Sequence, residues 1–111
     1  MKFTRNSVDV GYTILASNDY TALPIEVTET SAVKAGYPMK LDGKKATAAS
    51  EADGILLYDV DPTANPNGSL LVQGVVDSVR AAKSGFTYDS AAKTALKAAV
   101  PGIVLTKVNA E

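Results

Sequence analysis

Apolar positions follow three rhythms along this chain. Near the start, Val8, Val10 and Tyr12 alternate with Ser7, Asp9 and Gly11, the two-residue period of an extended segment with one sticky face. The surrounding "KFTRNSVDVGYTILASNDYT" mixes isolated apolar residues with Ser, Asn, Thr and Asp. Residues 1–21 therefore read as an extended arm that orders on a partner, by adding a strand to a sheet edge, in preference to a frayed terminus. Alternation returns in "LPIEVTET", residues 23–30, with Leu23, Ile25 and Val27 on one face. Pro24 makes this half-buried segment an edge strand or a strand start.

Apolar residues then become continuous. "GILLYDV" and "GSLLVQGVVD" are strand-length runs rich in branched side chains, as expected of core strands. Tyr58 lies inside the first and is expected to be buried. Between the runs, "DPTANPNG" is loaded with turn formers and predicts a broad exposed loop joining an antiparallel pair. Upstream, Asp42-Gly43 separates "PMKL" from "KKAT" and predicts a tight type I′ hairpin turn.

The last rhythm is helical. "DSVRAAKSG" suits one or two helical turns from Asp77 or Ser78 to Gly85. In "DSAAKTALKAAVPG", Asp89 or Ser90 caps a clearer helix that Pro101-Gly102 ends. Ala92, Ala95, Leu96 and Ala99 form its stripe of small apolar residues. "GIVLTKV" is a closing strand, with Val104 and Val108 on one face and Ile103 and Leu105 on the other. The expected class is mostly β (α+β): an arm over residues 1–21, then a β-rich domain over 22–111 with one short helix.

Composition narrows the chemistry. The 111 residues suit one domain. Cysteine and histidine are both absent, which removes disulfides, thiolate chemistry, the commonest general base and the Ser-His-Asp triad. With 11 basic and 12 acidic side chains the net charge is −1, far from the positive field that nucleic-acid binding needs. Apolar runs fall short of a membrane span, and Lys2 and Arg5 precede no apolar leader core. A soluble protein made in a cytoplasm, with neither nucleic-acid nor membrane partners, is expected.

Asp59 and Asp61 are the one carboxylate pair worth testing as a site. At i and i+2 of a strand they share a face and could converge on a hard cation. An EF-hand register from Asp61 puts Pro66 at the sixth place and Val72 at the twelfth; from Asp59 the twelfth is Leu70. Both registers fail. Aspartates that keep a strand end soluble and start a turn are the favoured reading, with weak cation binding the alternative. No catalytic residue, metal or cofactor is expected.

Lys34, Lys40, Lys44 and Lys45 cluster around the Asp42-Gly43 hairpin; a solvated tip is favoured over contact with an acidic protein surface. Tyr12, Tyr20 and Tyr37 are candidate interface anchors, because tyrosine buries area while its hydroxyl stays wet.

From residue 32 to about 108 the order of motifs resembles the phage lambda head decoration protein D family. The resemblance lies in "GYPMKLDGKKA", then "ADGILLYDVD", the following apolar strand, a short helix and "PGIVLTKV". It implies a small β-rich protein that binds the outside of the expanded capsid and bridges major capsid protein subunits. It also implies self-association as a homotrimer at three-fold sites, and a place on the virion exterior. Family arms are often rich in small residues and proline. Here the arm contacts would be Phe3, Val8, Val10, Tyr12, Ile14 and Leu15, with Tyr37, Lys44 and Lys45 as further oligomer or capsid contacts. The alternative is a head-fibre or tail-attached module meeting a host surface through "DPTANPNG".

Overall fold

In the computed structural model, residues 14–106 are described. Phe3, Val8, Val10, Tyr12 and Val108 lie outside this range. The backbone of the domain is one long antiparallel pair. Strand β1 (Leu15–Glu26) lies along β4 (Asn67–Asp77), from Leu15 opposite Val76 to Glu26 opposite Asn67. On the other side of β4 sits β3 (Gly54–Leu56), antiparallel to it and to the short β2 (Pro38–Met39). The chain then crosses over through α1 (Ser78–Ala81), a tight turn at 82–84 and α2 (Ser90–Ala99). It returns as β5 (Ile103–Thr106), parallel to the end of β4. A parallel neighbour needs such a crossover. The result is one five-stranded sheet, antiparallel except for β5. The mostly β class holds, with the turns at 78–84 forming a second short helix.

Continuous apolar runs become strands buried on both faces. Ile55, Leu57 and Leu71 point into one core, together with Ile14, Leu15, Val76, Ala81, Leu96 and Ile103. Leu56 and Leu70, their neighbours in sequence, point the opposite way into a second core with Val27, Val33, Met39 and Val60. Helix α2 lids the first core: Leu96 is fully buried, and Ala92, Ala95 and Ala99 pack beside it, as the stripe predicted. The second core is covered by residues 27–39, tied to Val60 by a two-way hydrogen-bonded bridge from Val33.

Several local expectations hold for physical reasons visible in the backbone. Asp77 caps α1 by accepting the Val79 N–H at 3.0 Å, and Asp89 caps α2 by accepting that of Ala92 at 2.8 Å. Gly85, at φ 98°, closes the first helical stretch. Pro24 does mark an edge strand. Val27 donates toward the β4 side, to the Pro66 carbonyl. Counting back in twos leaves the missing donor of Pro24 on the outer edge, where no ladder bond is lost.

Three expectations are corrected. The arm does not extend to residue 21: β1 starts at Leu15, and Ile14 and Leu15 are core residues, not contacts free for a partner. The 40–44 turn is not type I′. Gly43 N–H bonds the Lys40 carbonyl and Lys40 N–H bonds that of Lys44, a three-residue loop with Gly43 in the left-handed region at φ 91°. Tyr58 is 47% exposed: β3 ends at Leu56, and Leu57 is the last residue to keep the inward alternation that would have buried the ring.

Two substitutions test the α2 lid by thermal and chemical denaturation. Leu96→Ala should cost about 2–5 kcal/mol through the cavity it leaves. Ala95→Glu should cost about 1–3 kcal/mol by pressing a carboxylate against apolar neighbours. An unchanged melting temperature for both would mean that α2 is not docked as described.

Candidate interaction surface

Asp59 and Asp61 part company in the fold. Asp59 Oδ1 accepts the Ala35 N–H at 2.8 Å. Asp61 Oδ1 accepts both the N–H and the hydroxyl of Thr63, at 3.1 and 2.7 Å. Asn65 repeats the device by accepting the Asn67 N–H. The 61–67 loop is thus held by two side-chain turns of the kind that Asp and Asn favour. The same use recurs elsewhere. Asp42, Asp53 and Glu29 accept the N–H groups of Lys44, Leu41 and Lys45. These carboxylates are fasteners for loops.

Tyr37 and Lys45 are brought together. The Lys45 ammonium sits 4.8 Å from the centre of the Tyr37 ring, a cation–π contact that uses the negative ring face. Phe86 also meets the ring, edge-on at 5.6 Å, and Phe86 in turn meets Tyr88 at 5.1 Å. Tyr88 donates its hydroxyl to the Gly36 carbonyl. Burial pushes that phenol well above its usual range. Gly36 must be glycine here: φ is 102° and an added Cβ would collide with the Ala81 backbone. This aromatic chain clamps the 78–88 segment onto the 34–37 turn, so Tyr37 is first a fold anchor. Lys44 stays exposed beside it. Phe86 and Tyr88 were missed in the sequence, because a single i, i+2 pair between two helical stretches is too short an alternation to mark an element.

Exposed apolar residues mark the surface that remains. Leu41 is 58% exposed at the tip of the 40–44 turn. Tyr20 and Leu23 are exposed on the edge strand β1, and Tyr20 packs its Cβ over Gly74, its cross-strand partner. Asp19, Tyr20, Thr21 and Gln73 line a shallow groove there. Another groove lies between α2 and β5, lined by Lys93, Thr94, Lys97, Val104 and Leu105. Among the described residues no group of three or more His, Cys, Asp or Glu side chains converges as metal ligands would, and no helix is long and apolar enough to cross a membrane. Compared with protein-family models, curated proteins and solved structures, the chain finds no match in any of the three.

Removing the Tyr88 hydroxyl tests the clamp. Tyr88→Phe strands the Gly36 carbonyl and should cost about 1–3 kcal/mol in denaturant titrations. The raised phenol also predicts an alkaline limb. Above about pH 10 the unfolded chain loses this proton while the folded one keeps it, so stability falls as pH rises. Tyr88→Phe should flatten that limb; an unchanged limb would place its origin elsewhere.

Proposed function

We propose that this chain is a bacteriophage head decoration protein: it binds the outside of the expanded capsid as a trimer and bridges major capsid protein subunits, with no catalytic step. The observation that carries this reading is the root of the N-terminal segment. Ile14 and Leu15 are buried in the first core, and the Ile14 carbonyl accepts the N–H of buried Asp77 at 2.7 Å. The alternating residues Val8, Val10 and Tyr12 therefore join the domain at a fixed point at the end of its edge strand. A sticky segment on a rigid root is what a clamp between capsomers requires. Packed DNA loads a shell at the seams between its subunits, and a ligand that binds only the expanded form stabilises that form by mass action. The order of elements from "GYPMKLDGKKA" to "PGIVLTKV" supports the same reading, as does the employment of carboxylates in loop structure.

A head-fibre or tail-attached module is the second reading. The exposed 61–67 loop favours it, since its two side-chain turns hold a fixed shape toward solvent.

Co-sedimentation with purified heads of the encoding phage tests the proposal. The full chain should pellet with expanded heads and stay in solution with unexpanded ones. Deleting residues 2–13 should leave the melting temperature unchanged and abolish pelleting. Retained binding by this truncation would exclude the N-terminal segment as the clamp.

A further inference from the structure

The 40–44 turn is built to hold still, and what it holds out is a leucine. Besides the two bonds that close the loop, Leu41 N–H donates to Asp53 Oδ2 at 2.8 Å and Lys44 N–H to Asp42 Oδ1 at 3.0 Å. The flank is pinned as well: Thr28 N–H bonds the Gly43 carbonyl and the Thr28 hydroxyl that of Asp42. A Cβ on Gly43 would collide with the Glu26 carbonyl, so the turn is seated directly on the end of β1. Single surface leucines are ordinary. One mounted on so rigid a turn has already lost the freedom that binding would otherwise remove.

Charge and position indicate what it meets. Lys44 is exposed, with no carboxylate partner among the described residues. Around the turn, Asp42, Asp53 and Glu29 each accept a backbone N–H, and Asp42 also lies 4.0 Å from the Lys40 ammonium. The turn also stands far from the root of the N-terminal segment. Leu15 faces Val76 and Glu26 faces Asn67, and that span of β4 is about 30 Å long. A bridging protein needs two grips set apart, and these two features lie at opposite ends of its longest strand.

We propose that Leu41 is the second grip: it enters an apolar pocket on a capsid subunit other than the one held by the N-terminal segment, and Lys44 meets carboxylates on the pocket rim. This rests on the decoration reading and names the part of the domain that completes the bridge. Two linked contacts strengthen each other through effective concentration, so weakening either lowers occupancy sharply.

The test is titration of the labelled full-length chain onto purified expanded heads, for the parent chain and for Leu41→Asp, Leu41→Ala, Leu41→Met and Lys44→Glu. Leu41→Asp and Leu41→Ala should bind at least about tenfold more weakly, the scale of losing one buried leucine, with melting temperatures unchanged. Leu41→Met should stay within about threefold, as a volume-conserving swap. Lys44→Glu should weaken binding and flatten its dependence on salt. Parent-like binding by both Leu41→Asp and Leu41→Ala overturns the second grip and leaves the decoration reading standing. Failure of the parent chain itself to bind expanded heads overturns both.

Discussion

Two adjacent leucines that point in opposite directions organise this molecule. Leu70 and Leu71 are both fully buried, one in each core, so β4 must be covered on both faces by a chain of only 111 residues. β3 imposes the same demand through Ile55 and Leu56. Flanking segments therefore serve as cover. Helices α1 and α2 close one face, while the 27–39 segment and Val60 close the other. Glycines appear where cover comes too close for a side chain, as at Gly36 against Ala81 and Gly43 against Glu26. A half-buried sheet would have needed only one of these layers.

That economy explains the fate of the polar residues. With so much backbone in covering loops, each loop needs hydrogen-bond partners of its own, and short acidic side chains supply them. Asp59 secures the 34–35 turn, Asp61 the 61–64 turn, Asp53 the hairpin tip. Asp77 ties the end of β4 to α1 and to the root of the N-terminal segment: it caps α1, lies 3.6 Å from the Arg80 guanidinium, and bonds the Ile14 carbonyl through its own N–H. A domain whose carboxylates are committed in this way suits a role carried by surfaces and rigid mounts. The proposed capsid clamp is such a role: its root is fixed by core residues, and its second contact is held by a turn that the β1 end supports.

Much of this was legible from the chain. The two apolar runs, the Asp77 and Asp89 caps, the stripe through Leu96 and the edge character marked by Pro24 are local signals. Each depends on a residue and its near neighbours, so the sequence carries it directly. Tyr58 misled because a run of apolar residues does not announce where pairing stops. The Asp42-Gly43 turn misled because its loop length depends on whether Lys40 or Leu41 makes the last ladder bond, and contact with Glu26 and Thr28 influences that choice. Ile14 and Leu15 looked like arm residues because nothing beside them in sequence shows that β4 lies opposite.

The sequence by itself determined the mostly β class, the helix ends, the edge strand and the absence of histidine and cysteine chemistry, since these follow from residue type and short-range spacing. Only the tertiary structure decided that β5 runs parallel to β4, that Tyr37, Phe86 and Tyr88 form one clamp, and that Leu41 and the root of the N-terminal segment stand at opposite ends of one strand. Those are facts about residues far apart in the chain, and packing against the doubly buried strand is what brings them into relation.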